Sequence, residues 1–527
     1  MNKINLKNNI LNNLLLLSLF LIITLYLNPD FNFSLDSLKH WSTYHRDDIV
    51  FVYGTLIYNE GLPQEHLDHP SLFTFIFTAL FYKIFYFFGF LDHYNLSGFI
   101  NSEEEVNFSL SKLFFVSKFT IIFFSSLTII VLNRIFIYLS HNSLNSFLLT
   151  CLFIFSTGFI SSSNRLESGL ISIFLIFLSI YFLIKFINKE DKSGIIFFIL
   201  GLIFLFSSMM QKKIIFFSIP FMLLSLAPIL KFNNICYINY KSLNRFLDHK
   251  ILLFLLYLVV ISFISYKTVI NNTFFLSRDL DFVFLTVNYV SLNIILFYYI
   301  KYFQDSNYQN LLTYNLTIGI TYLTYKYFLI YFFSAPIAIW SISFTNFLGH
   351  INMFVSDTNI KNELSFNSLY LYFTSFTKHL KFILIKYFLD FSYQSVLVWL
   401  NLTIFLAKFS KIDLIKKLTI IILFLGFFIV QSIILFRYEQ DTYFLNSEIL
   451  LIIPLIYLFR YLKNNKLIII ISVFLFSLNL SVINSKNLEN SNSYCHDLIK
   501  SNDYEYYDYW TKHLPKNLIL KFCKDLI

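Results

Sequence analysis

Side chains able to do chemistry are few in this 527-residue chain, and they fall in groups. The densest runs His45-Arg46-Asp47-Asp48, then Tyr53, Tyr58, Asn59-Glu60-Gly61 and Glu65-His66-Leu67-Asp68-His69-Pro70-Ser71-Leu72. Adjacent carboxylates are costly beside lipid, so Asp47 and Asp48 either begin a solvated loop or serve a site, where a carboxylate can take a proton. Glu65, His66, Asp68 and His69 are of metal-ligand type at close spacing, and a divalent metal competes there with a plain His-Pro turn. Asn164-Arg165-Leu166-Glu167, Gln211-Lys212-Lys213 and Arg437-Tyr438 complete the set. Their cations suit a phosphate, although each alone reads equally as a basic residue snorkelling to a membrane interface.

The elements that must position these groups are membrane helices. Apolar residues make up 57% of the chain and charged residues 13%, about half the charged share of a soluble domain, which excludes disorder and a soluble fold. The 68 Phe accompany abundant Ile, Asn, Lys and Tyr, a compositional bias into which no aromatic box is read. The formal charge of +9 comes from Lys and Arg in short loops between apolar runs, which points to helix anchoring and excludes a nucleic-acid partner. Cys151 lies in an apolar run, Cys236 in a basic loop, and Cys495 and Cys523 in a polar tail; no metal-type cysteine spacing exists.

Runs long enough to cross roughly 30 Å of hydrocarbon lie near 10–28, 113–134, 144–160, 168–187, 194–209, 214–230, 250–266, 282–300, 311–340, 380–407, 418–435, 448–460 and 467–484. This predicts an all-α polytopic protein of about thirteen spans, organised as a membrane domain over 1–484 and a small tail over 485–527. The first run follows Lys3 and Lys7 without a small-residue cleavage site and reads as an uncleaved anchor. The apolar stretch 71–90 is left out of the count for a reason of charge. If it does not span, Lys185, Lys189, Lys192, Lys231, Lys241, Arg245, Lys250, Lys408, Lys411, Lys416, Lys417, Arg460, Lys463 and Lys466 all fall on the cytoplasmic side, as the positive-inside rule requires. The expectation is therefore an inner or plasma membrane protein with a cytoplasmic N-terminus and an extracytoplasmic C-terminus. Residues 29–110 form the first outer loop, with 71–90 as an interfacial helix. In an oxidising compartment Cys495 and Cys523 could pair.

The order of a lone N-terminal span, an outer acid pair, a short aromatic-rich helix and His69-Pro70-Ser71-Leu72 opening an interfacial helix resembles the GT-C membrane glycosyltransferases. It is most similar to the family 39 protein mannosyltransferases and the lipid A aminoarabinose transferases. Glu167 after Arg165, the Lys212-Lys213 pair at an outer span end, and Arg437-Tyr438 continue the pattern. The chain departs from it in Ser71 for a second proline, Asp48 for the more frequent glutamate, and the acidic Glu439-Gln440-Asp441.

The resemblance implies a GT-C-like bundle that moves a sugar from a polyprenyl-phosphate donor to an extracytoplasmic lipid, glycan or protein acceptor, with inversion. It implies Asp47 as the base, with Asp48 and Glu167 positioning acceptor or sugar, though the adjacent pair is not ordered by sequence alone. Arg165, Lys212, Lys213, Arg437 and Tyr438 would hold the donor phosphate, and Tyr53, His66 and His69 would contact substrate. No cofactor is expected, with a divalent metal at the His66–His69 cluster as the alternative. A polytopic transporter or flippase is the competing reading, expected to show broken helices and charges near the bilayer midplane.

Overall fold

A computed structural model describes residues 6–27, 46–62, 72–100, 106–166, 168–188, 194–211, 215–229, 290–296, 313–322, 324–325, 366–390, 392–435 and 441–462. Every regular element among them is helical. In chain order they are α1 (Leu6–Leu27), α2 (Arg46–Glu60), α3 (Leu72–Phe87), α4 (Leu96–Ile100), α5 (Val106–Ser140), α6 (Ser143–Ile154), α7 (Thr157–Ser163) and α8 (Ser168–Asn188). After these come α9 (Gly194–Gln211), α10 (Ile215–Leu224), α11 (Phe366–Leu389), α12 (Tyr393–Lys408), α13 (Leu414–Leu435) and α14 (Asp441–Phe459). Residues 290–296 and 313–322 are helical too.

Among the described residues three helices are long and apolar enough to cross a membrane: Phe108–Ser140 within α5, α8, and Leu414–Ser432 within α13. The count reaches five if each of two bent pairs is one span. The full set of about thirteen runs is not covered, since 250–266 and 467–484 lie outside the described residues.

The bent pairs refine two runs read as single spans. Residues 144–160 divide into α6 and α7, which meet at 64°. Phe155 leaves helical geometry, Ser156 is extended, and the Ser156 hydroxyl accepts from Phe159 N–H at 3.3 Å to start α7 afresh. The run 380–407 divides likewise into the end of α11 and α12, which meet at 84°. There the Ser392 hydroxyl caps α12 by accepting from Ser395 N–H at 3.3 Å.

Lys185, Lys416 and Arg460 meet polar partners at one end of the bundle. Lys185, in the last turn of α8, donates to the Tyr138 hydroxyl near the end of α5, and Arg460 donates to the Leu139 carbonyl. Lys416 reaches the Tyr461 hydroxyl at 3.5 Å. Between α5 and α6 the chain turns through His141, whose φ of 54° closes the first helix, and Asn142, whose side chain caps the second.

The placement of α3 bears on the charge argument. Its aromatic rings meet α5 in descending order: Phe77 on Phe124 at 4.5 Å, Phe85 on Phe119 at 5.4 Å, then Phe90 on Phe115 at 5.5 Å. Asp92 then pairs with Lys112 at 2.7 Å. Thus α3 runs antiparallel to the first half of α5 and away from Tyr138 and Leu139. The 35 residues of α5 amount to ~52 Å, well beyond ~30 Å of hydrocarbon, so one helix can both cross and receive α3 beside its N-terminal half. Along α5, the contacts of α3 and the turn after it run from Phe124 to Lys112.

Candidate functional site at the end opposite the basic residues

The first turn of α2 holds Arg46, Asp47 and Asp48, where carboxylates complement the exposed N–H groups of a helix start. Its middle, Phe51 to Ile57, is buried, including Tyr53, and Phe51 packs on Phe75 of α3 at 5.7 Å. Gly61 ends the helix: at φ 75° its N–H reaches Tyr58 O at 3.1 Å, and Leu62 N–H reaches Ile57 O at 3.2 Å. This pair of bonds satisfies the last carbonyls through a left-handed residue, a geometry glycine adopts at little cost.

Asp48 is 3% exposed, and its Oδ1 accepts from Leu166 N–H at 2.6 Å across 118 residues of sequence. Asp48 thereby pins the first turn of α2 against the turn that carries Arg165, at the foot of α8. A buried carboxylate bound to a backbone N–H is a strong, charge-assisted contact, and removing it would orphan a buried donor.

A second link joins α3, α8 and α9. Gln211, the last residue of α9, is fully buried, and its Oε1 accepts from Phe73 N–H at 2.8 Å and Thr74 N–H at 3.3 Å. Helix starts leave such donors unsatisfied, so Gln211 caps α3 from another part of the chain. Its amide nitrogen donates to Ser168 O at 3.4 Å and to the Thr74 hydroxyl. Ser168, Gln211 and Phe73, one or two positions from Glu167, Lys212 and Ser71 in sequence, are thus joined through one side chain.

A third carboxylate lies deeper. Glu448 in α14 is fully buried; its Oε2 accepts from Gly158 N–H of α7 at 2.8 Å, and its Oε1 accepts from the Gln394 amide of α12. Next to Gln394, the Tyr393 hydroxyl donates to Leu152 O at 2.6 Å, satisfying a carbonyl left open where α6 stops. Gly158 has to be glycine here, because a Cβ would sit 2.1 Å from Leu445 N.

Of the sequence candidates, the structure places Asp48, Tyr53 and Arg165 in this region and puts Asp47 in the first turn of α2. Glu167, Lys212, Lys213, Arg437, Tyr438, His66 and His69 lie outside the described residues, as do Cys495 and Cys523. Among the described residues no group of three His, Cys, Asp or Glu could hold a metal ion. Gln394 and Glu448 escaped the sequence reading, and Gln211 was singled out only with Lys212 and Lys213 and not as a cap, since a lone amide or acid in or beside an apolar run carries no pattern of its own.

Among the described residues the chain is a helical membrane protein in which Asp48 and Lys185 lie at opposite ends of α8. No protein-family model, curated protein or solved structure matches the chain.

Proposed function

We propose that this chain is a membrane glycosyltransferase that transfers a sugar from a polyprenyl-phosphate carrier to a lipid, glycan or protein acceptor on the extracytoplasmic side. The observation that carries the reading is the Asp48–Leu166 hydrogen bond. It brings Asp48, and with it the first turn of α2, to the turn that carries Arg165, at the end of α8 away from Lys185, the arrangement that such a transfer needs. A buried carboxylate and a cation drawn from sequence-distant segments are costly to gather beside lipid without a polar substrate to serve.

In the proposed reaction an acceptor hydroxyl oxygen attacks the anomeric carbon opposite the phosphate. A carboxylate takes its proton, the carbon–oxygen bond to phosphate breaks, and polyprenyl phosphate leaves with the electron pair. Asp48 is committed to Leu166 N–H, which favours Asp47 as the base and Asp48 as the residue that sets its place. Arg165, with Lys212, Lys213 and Arg437, would stabilise the negative charge that develops on the leaving phosphate. Glu167 and Tyr53, with His66 and His69, would orient sugar and acceptor, and Tyr438 would assist at the phosphate. The test is transfer of labelled sugar from a synthetic polyprenyl-phosphate donor in reconstituted membranes, comparing the wild type with D47N, D48N and E167Q.

The break between α6 and α7, with a buried carboxylate beside it, is the observation that favours a transporter instead, because broken helices with charged neighbours serve translocation sites. Uptake of substrate into proteoliposomes with no glycosidic product would decide for that reading.

A further inference from the structure

The short helix α7 and the turn after it are held at both ends by carboxylates from elsewhere in the chain. At the start, Glu448 accepts from Gly158 N–H across 290 residues. Just past the end, Asp48 accepts from Leu166 N–H. The two backbone donors are eight positions apart, at the start of α7 and in the turn that follows it. Both acids are buried, Asp48 at 3% and Glu448 at 0% exposure, and each bond is charge-assisted. The segment between them moves as a short unit: α7 has seven residues, started by Ser156, set off from α6 by a 64° bend, and packed through Phe159 on Phe20 and Phe153.

We infer that Glu448 is a positioning residue: by fixing the start of α7 it sets the place of the Arg165 turn that Asp48 engages at the other end. This inference rests on the site reading above, but not on the reaction assigned to it. Gln394 holds the second oxygen of Glu448, so the anchor is shared by α14 and α12. Because Gly158 leaves no room between α7 and the Leu445 backbone, a shift at Glu448 passes into α7 as a movement of the whole segment. Packed elements transmit such shifts because interiors are dense. A coupling of this kind acts in both directions.

Hydrogen exchange read by mass spectrometry on the full chain in nanodiscs tests it without any substrate. E448A should speed exchange about tenfold both at 158–160 and in the peptide holding Leu166, the effect expected when a charge-assisted buried bond is lost. E448Q should keep most of the protection, since Gln394 can turn its amide to pair with the new one while Gly158 keeps an acceptor. Reciprocally, D48A should loosen 158–160, and α9 should be unchanged in every variant. If E448A loosens only 158–160, or D48A leaves 158–160 at the wild-type rate, the inference is overturned. Should E448A fail to accumulate as folded protein, the D48A result alone decides. Loss of sugar transfer in the wild type with the coupling intact would refute the proposed reaction and leave this inference standing.

Discussion

Replacing Gly158 by alanine puts a methyl group where the backbone of α14 already lies. The nearest atoms would be Leu445 N at 2.1 Å, Leu445 Cα at 2.6 Å and Phe444 C at 2.7 Å, all backbone, so no side chain can swing away. The two helices must part by more than an ångström. Overpacking of this kind costs about 1–3 kcal/mol, and the parting stretches the 2.8 Å bond from Gly158 N–H to Glu448. A charged hydrogen bond is worth about 1.5–3 kcal/mol, so the combined loss is about 2.5–6 kcal/mol, a large share of the ~5–15 kcal/mol that holds a protein folded. Gly201 supplies the control, because there an added Cβ meets the Leu183 side-chain tip at 3.0 Å, which can yield. Denaturant unfolding of purified protein in detergent should show G158A destabilised by several kcal/mol, with poor recovery from membranes, and G201A changed by less than about 1.5 kcal/mol. A G158A protein within about 0.5 kcal/mol of wild type would refute the close crossing of α7 and α14.

Q211A removes the acceptor for Phe73 N–H and Thr74 N–H, and should cost about 2–3 kcal/mol while speeding amide exchange at 72–76; unchanged exchange there would count against the cap. His141 should make stability depend on pH, because desolvation and the nearby Arg460 lower its folded pKa below the usual 6.5. The unfolded chain then binds the proton more readily, so this stability is complete above pH 6.5 and falls as pH drops through it. H141N, which tolerates the left-handed backbone, should flatten that dependence in unfolding measured from pH 8 to pH 5. Topology reporters placed after Asp92 and after residue 110 should read the same side as one at Asn164, and the opposite side from one after Asn188. A reporter after Asp92 that reads with Asn188 would show that α3 crosses after all.

Much of the fold was legible because apolar length is a strong signal: the runs that become α1, α5, α8, α9 and α13 needed only that. The exclusion of 71–90 from the spans rested on where lysine and arginine collect, and the contacts of α3 with α5, ending beside Phe115 and Lys112, do not by themselves decide it. The helix breaks were not legible. Phe155-Ser156 and Phe391-Ser392 look like any apolar-small pair, and Ser156 and Ser392 act as caps only because tertiary packing bends the chain there. Nor could sequence separate Asp47 from Asp48; the partner that distinguishes Asp48 is a backbone N–H 118 residues away. Glu448 opened an apolar run in the sequence and is in fact two turns inside α14, which starts at Asp441. Its role depends on α7 and α12, which no local pattern announces.

The most direct test of the central claim is the incorporation of labelled sugar from a synthetic polyprenyl-phosphate donor into membranes carrying the purified chain. Wild-type protein should transfer. D47N should fall by about 10²–10⁴-fold, as expected for loss of a general base, and D48N and E167Q should fall less. Transfer that persists undiminished in all three variants would contradict the assignment of the site, and no transfer with any such donor, alongside substrate uptake into proteoliposomes, would contradict the function itself.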